Sequence, residues 1–312
     1  MKTMTIHGGV RLSEISLGYG RLGKGPDSQA FAVMDRYAEM GGATFDTARL
    51  YAGGMTDVSL GRWIKSRCCR GRVTVVTKGS HPDPSSMFVS RLSRAEIEGD
   101  LDLSLAAIGT DYSDLHMLHR DDVTIPVGEI VLSLDALVRS GKARAVGVSN
   151  WTATRIIQAN RFARENSLTP IACSQLLFGL GLTTHQTIGD LTCVTMNETE
   201  AGWYRESGLP VLAFGAAARG WFAALDRGDE PKALSDKNYT LLPENLRRAA
   251  RLSALARELG RSVSAVAVAY VRDSGLNASP LCAFSTVAQL EDSLDALNFV
   301  LTAEQVGFLE GK

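Results

Sequence analysis

Cysteine is scarce in this sequence and follows no pattern. Cys68, Cys69, Cys173, Cys193 and Cys282 are odd in number and lack the paired spacing of a zinc site, so neither a disulfide framework nor a metal centre is expected. Adjacent Cys68 and Cys69 suggest a redox pair only weakly and read as ordinary thiols. Charge of one sign is missing too. Lys and Arg total 33 against 34 Asp and Glu, which removes the electrostatic footprint of a nucleic-acid or anionic-membrane binder. No apolar run approaches the roughly 20 residues of a membrane helix. Met1–His7 lacks the apolar core of a signal peptide, so a cytoplasmic protein is expected. There is no internal repeat and no low-complexity linker, and a single domain over residues 1–312 is the reading. A compelling Gly-rich dinucleotide fingerprint is also absent; Leu17-Gly18-Tyr19-Gly20-Arg21 holds only an isolated Gly-x-Gly.

What is present is a large apolar fraction, 45% of 312 residues, enough for an extensive core. Short β-rich runs alternate with helical periodicity. The strand candidates are 15–17, 43–45, 73–77, 114–118, 143–148, 171–174, 211–214 and 281–284. Eight such runs separated by helices predict parallel strands with helical crossovers, a (β/α)8 TIM barrel. An open doubly wound sheet is the alternative. Ser93-Arg94-Ala95-Glu96 is a capping box, after which Ile97, Leu101, Leu105 and Ile108 fall on one helical face. Residues 3–12, broken by Gly8-Gly9, predict an N-terminal β-hairpin. Residues 179–197 and 221–244 read as extended loops at the C-terminal face, where long loops are commonly functional. Arg247, Arg248 and Arg251 read as a solvated helix face, with Ala249, Leu252, Leu255 and Ala256 as its buried side.

In a parallel barrel, reactive groups sit where strands end. Asp46, Tyr51, Lys78 and His119 stand at or just past the ends of strands two, three and four. Taken singly, each has an ordinary explanation: a loop cap, a loop aromatic, a solvated strand end, a satisfied histidine. Four at neighbouring strand ends suit carbonyl reduction. Hydride addition creates alkoxide charge that an acid must quench. A Lys ammonium beside a tyrosine favours phenolate and lowers its pKa, a carboxylate holds the Lys, and a neutral His orients the substrate oxygen. Metal binding by His116 and His119 is a poor alternative, because an odd separation on a strand sends the rings to opposite faces. A Schiff-base enzyme using Lys78 is a competing class.

The sequence resembles the aldo/keto reductases over nearly its full length. The resemblance is carried by Phe45-Asp46-Thr47-Ala48 with Tyr51, Val76-Thr77-Lys78, Asp114-Leu115-His116-Met117-Leu118-His119-Arg120 and Gly147-Val148-Ser149-Asn150. Ser174-Gln175, Ala217-Ala218-Arg219-Gly220 and Gln289-Leu290-Glu291-Asp292-Ser293 continue it. It implies that Asp46, Tyr51, Lys78 and His119 form a catalytic tetrad with Tyr51 as proton donor. It implies an extended nicotinamide cofactor, its carboxamide held by Ser149, Asn150 and Gln175, with Asp46 beside it. Phe214 would stack on the ring where tyrosine is commoner. Gly215, Ala217 and Arg219 would carry the pyrophosphate, Gly20 and Arg21 would line the first loop, and Ser285, Gln289 and Ser293 would meet the adenosine half. The family pattern favours NADP(H), but Ser285 stands where an arginine is frequent and supplies no charge, so NAD(H) is a second expectation. Tyr19, Arg49, Phe88 and Trp151 are candidate contacts for a small carbonyl or alcohol substrate. The competing role within the family is a cofactor-binding regulatory subunit with little turnover. Oligomeric state is left open.

Overall fold

The structure is a computed structural model that describes residues 1–20, 25–229 and 236–312. Eight parallel strands close into a barrel, preceded by a two-stranded antiparallel sheet. The small sheet pairs β1 (Thr3–Thr5) with β2 (Arg11–Ser13), as Gly8-Gly9 predicts. The barrel strands are β3 (Ser16–Gly18), β4 (Thr44–Asp46), β5 (Thr74–Gly79), β6 (Ser113–Leu118), β7 (Ala143–Ser149), β8 (Ile171–Leu177), β9 (Val211–Phe214) and β10 (Ala278–Cys282). They neighbour one another in chain order, and β10 closes on β3. This is the expected (β/α)8 barrel.

The chain divides into two compact units, residues 1–175 with 283–285, and residues 176–282 with 286–312. The first holds β1–β7, most of β8 and the helices α1 (Asp27–Glu39), α2 (Met55–Arg67), α3 (Arg94–Ile108), α4 (Val127–Arg139) and α5 (Ala153–Glu165). Its barrel strands are largely buried on both faces, as a parallel sheet requires; every residue of β6 is buried. The capping box of α3 forms as predicted, with Ser93 accepting from the Glu96 amide, and Gly109 ends the helix at φ 75°.

In the second unit several expectations need correction. Residues 179–197 are not one loop, since Thr184 caps a helical turn at His185–Ile188. Residues 221–244 are not one loop: Trp221–Asp226 and Lys237–Thr240 are helical and a longer helix starts at Pro243, while 230–235 lie outside the described residues. Burial of Trp221 and Phe222 supplies the packing that decides helix over loop. The last strand runs over Ala278–Cys282, three residues earlier than the sequence suggests. Asn277-Ala278-Ser279-Pro280 has turn-like composition, and only pairing with β9 reveals it as a strand. Ala249, Leu252, Leu255 and Ala256 are buried as expected. Arg247 is exposed, but Arg248 and Arg251 are not merely solvated: they donate to the Leu180 and Leu309 carbonyls. Among the described residues no helix is long and apolar enough to cross a membrane, and no cluster of His, Cys, Asp and Glu is arranged to hold a metal.

Candidate active site

Parallel pairing sets Asp46 opposite Val76, so Lys78, two residues further on the same face, overhangs the carboxylate. Lys78 Nζ donates to both Asp46 oxygens at 2.5 and 2.6 Å. Both side chains are shut off from solvent, at 0% and 2% exposure. His119 follows β6, and its amide donates to the Gly79 carbonyl at 2.9 Å. Tyr51 reaches the pair from the loop after β4: Lys78 Nζ lies 5.1 Å from its ring centroid. The Tyr51 and His119 rings meet edge to face at 5.7 Å. Gly20 stands against this phenol; a Cβ there would lie 3.4 Å from two Tyr51 ring carbons.

The electrostatics depart from expectation at one point. Burial pushes the Tyr51 phenol up and the Asp46 charge adds to that, and together they outweigh the downward pull of Lys78 and Arg120. The net shift is upward, because loss of water penalises phenolate more than one neutralised ammonium favours it. Burial works against the charge on Lys78, yet Asp46 and Tyr51 overcome it and hold the ammonium above its ordinary range. His119 is pushed well below 6.5 by burial first, then by the charges of Lys78 and Arg120. Its ring is neutral at physiological pH. Its Nδ1 is buried without a hydrogen-bond partner.

Ser149 and Gln175 sit side by side in register on β7 and β8. Asn150 follows at φ 60°, a left-handed conformation costly for a non-glycine residue. Its side-chain amide donates to Ser149 Oγ at 3.0 Å and to the His119 carbonyl at 3.3 Å. Gln175 Nε2 donates to Asp46 Oδ2 at 2.9 Å. The structure thus brings these three beside the tetrad. A carboxamide offers one acceptor and two donors, and a hydroxyl with two side-chain amides is a donor set that matches it.

The remaining expected residues lie elsewhere. In the second unit, Phe214 ends β9 half-buried, and Gly215 (φ 85°) opens the segment to Gly220 in which Ala217 is half-buried and Ala218 and Arg219 are left-handed. Arg219 is paired with Asp236 at 3.3 Å. Gln289 is exposed, in the first turn of a helix capped by Thr286, and Ser293 is buried in it. Ser285, in the first unit, accepts from Gln29 through its carbonyl. Arg21 lies outside the described residues. Of the substrate candidates, Arg49 lines a cleft with Lys78, His81 and Arg91. Tyr19 and Trp151 do not face it: both are fully buried, and Tyr19 donates its hydroxyl to Ser59. Phe88 is 90% exposed.

Sequence reading missed three neighbours. His81 stacks edge-on against His119 at 4.7 Å. Arg120, buried, donates to the His119 carbonyl at 2.8 Å. Asp57, in the first turn of α2, is wholly buried beneath the Tyr51 loop.

A sequence profile of the aldo/keto reductase family matches residues 14–312. The chain belongs to the aldo/keto reductase family. The match starts past the N-terminal hairpin and takes in all eight barrel strands. Among similar proteins, norsolorinic acid reductase A of Aspergillus parasiticus is 27% identical over 96% of this chain and 77% of its own. An aryl-alcohol dehydrogenase of Pestalotiopsis microspora is 27% identical over 96% and 79%. An uncharacterized oxidoreductase of Bacillus subtilis is 28% identical over 95% and 90%. This aldo/keto reductase is accordingly an oxidoreductase.

Proposed function

We propose that this aldo/keto reductase is an NAD(P)H-dependent enzyme that reduces the carbonyl of a small aldehyde, ketone or sugar, or runs the reverse oxidation, with Tyr51 as proton donor. The observation that carries it is the buried Lys78–Asp46 pair set under the Tyr51 phenol. Ser149, Asn150 and Gln175 would hold the nicotinamide carboxamide, and Gly20, Phe214, Gly215, Ala217, Arg219, Ser285, Gln289 and Ser293 the rest of the cofactor. Bound there, the cofactor supplies hydride.

The chain's own residues account for the proton. A phenol with a raised pKa stays protonated until alkoxide forms beside it, and the alkoxide, a far stronger base, takes the proton from the Tyr51 hydroxyl. The phenolate left behind is held by the Lys78 ammonium, itself fixed by Asp46. Neutral His119 can donate to the substrate oxygen without competing for that proton. Positioned acid catalysis of this kind is worth roughly 10²–10⁴-fold. The same geometry disfavours Schiff-base chemistry, which needs a lone pair on Lys78 that the Asp46 contact keeps protonated.

Benzaldehyde, simple ketones and aldoses, assayed with NADPH and NADH, form the test panel. Tyr51→Phe is expected to abolish reduction while NADPH still quenches tryptophan fluorescence. Near-normal turnover in that variant would defeat the assignment. Tight cofactor binding without turnover on any carbonyl would favour a regulatory subunit instead.

A further inference from the structure

The loop that presents Tyr51 is held in an unfavourable shape. Ala52, Gly53 and Gly54 are left-handed in succession, at φ 49°, 63° and 89°; the glycines adopt this readily, but at Ala52 it is costly and persists only where its surroundings enforce it. The surroundings are a buried polar network centred on Asp57. Its carboxylate accepts from Thr47 Oγ1 at 2.7 Å and from Ser104 Oγ, on α3, at 2.9 Å. Arg49 faces it at 3.5 Å, and the same guanidinium donates to the Gly53 carbonyl at 3.3 Å. It lies over Gly54, where a Cβ would collide with it. Thr56 Oγ1 lies within hydrogen-bond reach of the Tyr51 carbonyl at 3.3 Å and of Thr47 Oγ1 at 2.9 Å. The loop around Tyr51 is therefore tied to the Asp57 carboxylate through Arg49, which also holds the Gly53 carbonyl, while the Thr56 hydroxyl stands within reach of the Tyr51 carbonyl on the other side. Nothing in proton donation itself requires Asp57.

We propose that Asp57 and Arg49 form a latch that sets the placement of the Tyr51 phenol, with Asp57 a positioning residue for the reaction. The proposal rests on Tyr51 being the proton donor. It assigns Arg49, which also lines the cleft, to the loop in preference to the substrate. A barrier that depends on near-attack geometry is sensitive to small displacements, and a shift of about 1 Å is worth up to about 100-fold in rate.

The test uses the full chain with NADPH and benzaldehyde. Asp57→Asn and Arg49→Met are each expected to lower kcat by about 10- to 100-fold with KM for benzaldehyde unchanged. NADPH affinity by tryptophan quenching stays at the parent value, and the peptide spanning residues 47–57 exchanges amide hydrogen faster. The double variant loses no more than the worse single one, since both substitutions open the same latch. Losses that multiply in the double variant overturn the proposal, as does an Arg49→Met whose only change is a higher KM, which would make it a substrate contact. If Asp57→Asn does not fold, the partly exposed Arg49→Met decides alone through kcat and exchange. Retained turnover in Tyr51→Phe sinks the donor assignment; retained turnover in Arg49→Met beside an inactive Tyr51→Phe sinks only the latch.

Discussion

His119 shows how much a side chain's behaviour depends on what surrounds it. Free imidazole titrates near 6.5. Here burial, Lys78 and Arg120 all oppose the charged form, so the neutral ring persists to lower pH. The acid limb of kcat/KM for carbonyl reduction is therefore displaced downward, and the rate is expected to stay flat as pH falls from 8 to about 6. A profile measured in constant ionic strength that is half-maximal near pH 6.5 would show that His119 keeps its ordinary titration. Tyr51 works in the opposite sense: its upward shift preserves the acid form on the alkaline side. That Asp46, Tyr51, Lys78 and His119 lie together was legible in the sequence, because neighbouring strand ends of a parallel barrel converge at one rim. Asp57 and Arg120 were not, because their importance comes from neighbours on other elements, Ser104 on α3 for one and the His119 carbonyl for the other.

Helix α2 carries Asp57 and must therefore sit at a fixed depth against α3. Gly61 sets that depth. A Cβ at this position would lie 2.3 Å from the Ile108 carbonyl oxygen, which is backbone and cannot rotate aside. Gly61→Ala is expected to destabilise the protein by about 1–3 kcal/mol despite the better helix propensity of alanine. Chemical denaturation would read this as a lower midpoint at constant slope, and an unchanged or higher midpoint would show that the two helices separate freely. The capping box of α3 and the buried stripe of Ile97, Leu101, Leu105 and Ile108 were readable directly, since both follow from helical geometry along one stretch of chain. Strand β10 was misplaced for the converse reason. Ser279 and Pro280 have weak strand preference, and the ladder with β9 is a long-range property.

At the scale of the molecule, a cofactor that binds only the folded chain stabilises it by mass action. NADPH at about 100 times its Kd contributes roughly 2.7 kcal/mol, and the thermal midpoint of parent and Tyr51→Phe should rise together by about 5 °C. A shift confined to the parent would mean that Tyr51 serves binding as well as chemistry. NADH is expected to act within about 100-fold of NADPH, because Ser285 brings no charge to a 2′-phosphate. Titration of both cofactors by fluorescence checks this, and a wider gap would locate a cation that the sequence pattern does not supply.

The alternation of barrel strands and helices, the faces buried by α3 and by the helix from Pro243, and the order of the reactive residues are properties of neighbouring positions, governed by backbone periodicity, and the sequence alone determined them. The direction of the Tyr51 shift, the burial of Tyr19 and Trp151 and the polar contacts of Asp57 were decided only by tertiary structure. Each depends on desolvation and on charges brought close by barrel closure, and neither can be read from order along the chain.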